Sequence, residues 1–276
     1  MKKRLKVAVV CVNYNSYDSL KNYLYSLNIA GSKTRDDVSF DVYIADNSTK
    51  KETIDIATYE HIKVAMMPLD NLGYLGGVFA VINSWESTQR EIYDYVVISN
   101  VDVTVNEDFG SQLANYKQED KLSWIAPAIY NTHLGKVGSA EWTSRPSKRR
   151  MKFYSFLYAH PVLYRLYWLV SRIKIRSSHN NISKESDIYA GYGSFMILTK
   201  EFVQLQSQWV YPSFLFGEEI FFAEIARYNG MKVKYVPDIM INDIGKVSTG
   251  RIGNKRKLQM QKESNDYLYN EFFKEA

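Results

Sequence analysis

Up to about residue 130 the chain alternates short runs of β-branched apolar residues with longer mixed segments. Val7 to Val12, Asp41 to Ala45, Ile62 to Met66 and Tyr95 to Ser99 are predicted as buried strands, since short apolar runs bounded by polar turns have a strand's length and composition. Ser19 to Leu27, with Leu20, Tyr23, Leu24 and Leu27, repeats apolar residues at helical spacing, and so does Tyr74 to Trp85. Strands alternating with helices require right-handed crossovers, which predicts an α/β fold with a mostly parallel sheet flanked by helices. Ligands of such sheets bind beyond the carboxyl ends of the strands, so the residues just after each apolar run are the candidates for chemistry.

Those residues are Val12-Asn13-Tyr14-Asn15, Asp46-Asn47-Ser48 and Asn100-Val101-Asp102, all rich in hydrogen-bonding groups. Asx residues also favour turns and helix caps, which accounts for single placements but not for their coincidence at one end of one sheet. An aspartate at the second strand end can accept the N3–H of a pyrimidine base. Asp102 can hold a divalent cation.

Composition narrows the class without naming it. The chain has 276 residues, 46% hydrophobic and 24% charged, with 14 Gly and 6 Pro, the proportions of a folded globular protein. The single cysteine, Cys11, has no intrachain partner and suits a reducing, cytoplasmic compartment. Met1-Lys2-Lys3-Arg4 before Leu5 to Val12 imitates a signal peptide, yet the run is short and enters Asn13-Tyr14-Asn15 without a small-residue cleavage site. Pro161 to Val170 is too short to span a bilayer and is interrupted by Arg165. His61, His133, His160 and His179 lack metal-ligand spacing, and no Walker-type loop is present, which argues against a zinc enzyme and a kinase.

Six segments in order carry a resemblance: Val9 to Asn15, Ile44 to Ser48, Asn71 to Gly77, Ser99 to Val103, Gly191 to Leu198 and Phe214 to Glu219. The sequence resembles the inverting family 2 glycosyltransferases of GT-A (Rossmann-like) fold, in particular the bacterial rhamnosyl- and galactofuranosyl-transferase-like branch that builds surface polysaccharides such as capsule and O-antigen. The resemblance covers most of the chain apart from residues 145 to 184. It implies a single GT-A domain over 1–276, with a helical insertion at 145–184 and a C-terminal helical arm at 244–276. It also implies a nucleotide-diphosphate sugar donor, UDP- or dTDP-linked, bound by Asn13, Tyr14, Asp46, Asn71, Gly73, Gly77 and Asn100. Asn100-Val101-Asp102 matches the family's Asp-x-Asp motif, whose last aspartate ligates Mn²⁺ or Mg²⁺, so Asp102 is the expected metal ligand. Such hard cations take oxygen ligands and neutralise charge on the leaving diphosphate. Gly217-Glu218-Glu219 matches the family's Glu-Asp pair, whose second carboxylate is the general base. Glu219 therefore stands as base with a longer side chain than usual, and Glu218 can share the role; a pair of carboxylates at a helix start also simply suits the helix dipole.

Two positions depart from the family. Phe79 replaces an asparagine that normally follows the glycines, and no late histidine completes the metal site. Asp243 either supplies an oxygen ligand in its place or caps a loop.

Residues 145 to 184 hold ten Lys+Arg and no acid, interleaved with aromatic residues, and 244 to 262 hold six more cations and again no acid. The mild total of +5 thus conceals an acidic body with two basic segments. Pro161 separates two predicted helices, and Arg165, Arg172 and Arg176 share one face of the second beside Trp168. A basic, aromatic, amphipathic stretch reads as an element of an anionic membrane surface, at the inner face of the cytoplasmic membrane, although an ordinary helical pair and an RNA-binding patch share the pattern. With a pocket for a metal-bound donor as the more economical account of the rest, no nucleic-acid partner is expected. A polyprenyl-diphosphate-linked saccharide would suit both the patch and the resemblance as acceptor, with Gly193 shaping its side of the site. The rival from another class is a non-catalytic nucleotide-sugar or membrane-surface binding protein on the same fold.

Overall fold

The computed structural model describes residues 4–34, 36–138, 140–175, 182–245 and 253–275, with side chains described outside 170–175. Its elements run β1 (Leu5–Asn13), α1 (Tyr17–Thr34), β2 (Val38–Asp46), β3 (Lys63–Pro68), α2 (Tyr74–Ser84), α3 (Ser87–Ile92), β4 (Tyr95–Asn100), β5 (Val103–Val105) and α4 (Phe109–Asn115). They continue with β6 (Leu122–Asn131), β7 (Lys136–Gly138), α5 (Lys148–Ala159), α6 (Pro161–Ile175), β8 (Ser186–Ile188), β9 (Phe195–Thr199), α7 (Lys200–Val203), α8 (Glu218–Tyr228), β10 (Lys232–Asp243) and α9 (Asn254–Leu268). All four strands expected from the apolar runs form, and Pro161 opens α6 where the chain was expected to break.

One sheet runs in the order β3-β2-β1-β4-β9-β6-β10-β5, and its four longest ladders are parallel. Strand β9 lies antiparallel between β4 and β6. Val7 to Cys11 are fully buried because β1 is covered on both faces: Ala8 and Val10 belong to the cluster under α2 and α8, and Val7, Val9 and Cys11 to the one under α1 and α4. Burial pushes the Cys11 thiol up to about 12, so it stays protonated.

The parallel register is what gathers the polar strand ends. Asn13 pairs with Asp46 across β1 and β2, and Val12 pairs with Asn100 across β1 and β4. Strand β9 begins at the same end, since Phe195 pairs with Ser99, so Gly191 to Ser194 approach the ends of β1 and β4. Asp243 at the end of β10 pairs with Val103 of β5, one residue from Asp102.

Phe79 has a packing reason. It is buried and stacks on Trp209 at 5.7 Å, with Phe221 and Phe222 at 6.2 and 6.1 Å, so it fastens α2 to α8 instead of facing a ligand. The C-terminal segment packs on the insertion: Asn265 of α9 donates to Met151 O at 2.9 Å and to Ser155 Oγ at 2.7 Å, both on α5. Buried Glu224 of α8 binds Arg145 through two hydrogen bonds of 2.7 and 3.0 Å, and Arg145 also donates to Phe272 O at 2.9 Å.

Candidate active site

A cavity of about 1300 Å³ opens at the polar end of the sheet. Of the residues expected from sequence, Tyr14, Asn71, Gly73, Asn100, Asp102, Asp243, Gly193, Glu218, Glu219, Arg165 and Trp168 line it, and Asn13, Asp46 and Gly77 do not. Arg172 and Arg176 lie outside the residues whose side chains are described.

Asn13 and Asp46 stand behind the wall. Asn13 Nδ2 donates to Asp46 Oδ1 at 3.0 Å and to Ser48 Oγ at 3.1 Å, while Tyr17 OH donates to Asp46 Oδ2 at 2.8 Å. Burial opposes ionisation of Asp46, but the hydrogen bonds from Ser48 and Tyr17 and the charge of Lys51 outweigh it and hold the carboxyl below the usual carboxylate range. The pair ties the ends of β1 and β2 together. In this conformation, with Asp46 only 1% exposed, the carboxylate is closed to a base.

The neighbouring Asn47 does reach the cavity. Its Nδ2 donates to Gly73 O at 2.8 Å, and its Oδ1 is buried without a hydrogen-bond partner among the described residues. An unpaired buried acceptor costs about 1–3 kcal/mol. Gly77 serves this residue, because a Cβ there would come within 3.2 Å of Asn47 Nδ2. Gly73 has φ 79° and Tyr74 N donates to Phe214 O at 3.1 Å; a side chain at Gly73 would collide with that carbonyl, so only glycine admits this close approach.

Asp102 and Asp243 form an oxygen-donor edge. Ile244 N donates to Asp102 O at 3.0 Å, and Gly245 N donates to Asp243 Oδ1 at 2.7 Å. Among the described residues no group of three or more His, Cys, Asp or Glu is arranged to hold a metal. Two carboxylates with open space beside them fit a hard divalent cation whose remaining ligands come from phosphate oxygens and water.

Across the cavity, Glu218 and Glu219 occupy the first turn of α8 behind two left-handed residues, Phe216 at φ 72° and Gly217 at φ 83°. The backbone N–H of Gly193 donates to Glu219 Oε1 at 3.2 Å, and Tyr74 OH donates to Gly193 O at 2.9 Å. A Cβ at Gly193 would lie 2.6 Å from Glu219 Oε1, so glycine is what lets the carboxylate sit there. Burial raises the pKa of both glutamates, Glu218 to about 7 and Glu219 well above its ordinary value. Glu218 raises Glu219 further, Glu141 raises both, and backbone N–H groups, including that of Gly193, partly oppose the shift.

Glu141 is a cavity residue the sequence did not single out. It follows the β6–β7 hairpin without an apolar run, and the bridge between Trp142 and Ala190, with hydrogen bonds of 3.0 and 2.9 Å, ties its neighbour to the segment that leads into Gly193. Asn47 stood within a recognised segment, and its position after an apolar run was the available signal.

No family model and no curated protein matches this sequence. Solved structures do. The chain is 12% identical to Staphylococcus aureus TarS 1-349 in complex with UDP-GlcNAc, with TM-score 0.55, over 97% of this chain and 71% of that one. A second TarS 1-349 structure aligns at TM-score 0.52 and 12% identity over 86% of this chain, which spans 60% of the length of that one. GalNAc-T7 with UDP, GalNAc and Mn²⁺ aligns at TM-score 0.55 and 13% identity, over 90% of this chain and 45% of that chain. The fold is therefore that of the GT-A glycosyltransferases.

Proposed function

We propose that the chain is a metal-dependent, inverting glycosyltransferase of the family 2 type. The observation that carries this reading is the convergence, in one cavity on a GT-A fold, of the Asp102 and Asp243 edge with the Glu218 and Glu219 pair. The donor is a nucleotide-diphosphate sugar, UDP- or dTDP-linked, lying along Tyr14, Asn47, Asn71, Gly73 and Asn100. UDP in the TarS and GalNAc-T7 structures supports the uridine choice. Asn47 Oδ1 takes a donor O–H or N–H after a small rotation, and Asp46 reads the base once Tyr17 or Asn13 yields its hydrogen bond.

Asp102 with Asp243 would hold Mn²⁺ or Mg²⁺, which would supply neutralisation of charge on the departing diphosphate. Glu219 takes the proton of the acceptor hydroxyl while Gly193 N–H fixes its Oε1. The hydroxyl oxygen bonds to the anomeric carbon from the face opposite the breaking C–O bond, the configuration inverts, and nucleoside diphosphate leaves. Glu218 shares the negative charge and serves as the alternative base.

The acceptor is a lipid-linked saccharide of a bacterial surface polysaccharide, presented at the cytosolic face of the membrane. Exposed Val162, Leu166 and Leu169 on α6 support this placement, with Arg165 beside them. Among the described residues no helix is long and apolar enough to cross a membrane. A thermal-shift panel of UDP-, dTDP- and GDP-sugars with Mn²⁺ tests the reading. One pyrimidine donor at a hundredfold excess over its Kd should raise the melting temperature by about 5 °C, and Asp102→Ala should remove the shift. No shift with any donor would contradict it.

A further inference from the structure

The cavity is larger than one ligand requires, since pockets of roughly 300–1,000 Å³ enclose a drug-sized molecule and this one measures about 1300 Å³. Its mouth is built from two elements that the donor reading leaves unused. From α6, Pro161, Tyr164, Arg165 and Trp168 form one stripe on the cavity, at spacings of three and four residues. From α9, the whole first turn meets the cavity end-on, Gly253 to Leu258, and presents Lys255, Arg256 and Lys257.

Three of these cations lack the usual compensation. Arg165, Lys255 and Arg256 make no ion pair or hydrogen bond among the described residues. Lys257 Nζ lies 5.9 Å over the ring of Phe216, two residues before Glu218, which places this basic turn beside the proposed base. Helix starts favour carboxylates, yet the first turn of α9 contains none and carries three like charges. Arg165, Lys255 and Arg256, from two elements facing one opening, repel one another unless an anion lies between them. An apolar stripe adjoins the same opening: Val162, Leu166 and Leu169, at 71, 55 and 57% exposure, sit one step around α6 from Arg165.

We propose that Arg165, Lys255, Arg256 and Lys257 form a second anion site that holds a phosphate or diphosphate of the acceptor, its apolar chain running out along Val162, Leu166 and Leu169. This rests on the glycosyltransferase reading and deepens it. The donor's diphosphate goes to the metal edge at Asp102, and the acceptor's goes to protein cations without a metal. Charge-assisted hydrogen bonds from arginine and lysine suit phosphate oxygens. The acceptor's reacting hydroxyl then lies at Glu219 while its phosphate remains at the mouth.

The test uses geranyl diphosphate as probe, titrated into the full chain by calorimetry in EDTA, so that the metal-dependent donor site is silent. Saturable binding is expected, tighter than that of inorganic pyrophosphate. Arg165→Ala combined with Lys255→Ala and Lys257→Ala should weaken it at least about tenfold, while UDP with Mn²⁺ binds the variant within about twofold of the parent. Retained UDP binding also shows that the variant is folded. The proposal is overturned if geranyl diphosphate fails to bind in EDTA, if the substitutions leave its affinity unchanged, or if they weaken UDP equally, which would make the cations a donor clamp. It is also overturned if only phosphatidylglycerol vesicles respond to the substitutions, which would assign the cations to bulk lipid headgroups. Loss of UDP binding by the parent chain itself would sink the glycosyltransferase reading and leave the EDTA result standing separately.

Discussion

Glu218 and Glu219 share a turn with Glu141 nearby, so their protons come off as a coupled set and not as two independent groups. Because burial and like charge raise their pKa, the base form is lost as pH falls through a midpoint above the ordinary glutamate range. The rate of sugar transfer should therefore drop on the acid side near neutrality. Glu141→Gln removes a like charge and should move that limb to lower pH in a pH–rate profile. The same shift has a stability consequence of fixed sign. A carboxyl whose folded pKa is raised contributes fully below its unfolded pKa, and that contribution is lost as pH rises through the folded value. Glu219→Gln should thus be more stable than the parent at pH 8, with a higher melting temperature, and equal to it at pH 4. At this scale the sequence was informative where a residue followed an apolar run, as with Asp102 and Asn100. It did not expose the closure of Asp46, which depends on Tyr17 from α1 and Ser48 meeting one carboxylate across the fold. Nor did it expose Glu141, whose position comes from a long-range bridge.

Among the elements, α8 carries the proposed base and α9 braces the turn that aims it. Phe216 O accepts hydrogen bonds from Tyr211 OH at 2.6 Å and Ser264 Oγ at 2.7 Å, so the two left-handed residues before Glu218 are held from α9. A side chain at Gly217 would collide with Ser264 Oγ and also meet Leu268 Cδ1 and Tyr211 OH at 2.7 Å. Gly217→Ala should cost about 1–3 kcal/mol in urea unfolding and lower kcat with donor affinity retained. Ser264→Ala, which leaves Tyr211 on the same carbonyl, should cost only about 1 kcal/mol. Strands β1 to β4 and helices α1 and α2 were legible from apolar runs and period alone, because β1 and β4 are buried on both faces and most of β2 alternates between buried and half-buried positions. The bracing by α9 was not, since its buried residues, Leu258, Met260, Ser264, Asn265 and Leu268, mix polar with apolar positions and complete a core begun by α2 and α8. The aromatic packing of Phe79 was equally hidden, because local sequence shows the substitution but not the rings it meets.

For the molecule as a whole, the charge of +5 resolves into an acidic edge and base within a cavity whose mouth is basic. Cations from both acid-free segments, Arg165 from the insertion and Lys255 to Lys257 from the C-terminal arm, face the same opening; Lys246 and Arg251 lie outside the described residues. That division orders two anionic substrates around one reaction, with the donor at the metal edge and the acceptor's phosphate at the mouth. The central claim is that Asp102 and Glu219 carry sugar transfer from a nucleotide donor. Its most direct test is the release of nucleoside diphosphate from the donor identified in the thermal-shift panel, measured with Mn²⁺ for the parent, Asp102→Ala and Glu219→Gln. The parent should release the diphosphate slowly without acceptor, and each variant should lose about 100-fold or more of that rate. Full turnover in both variants would contradict the account.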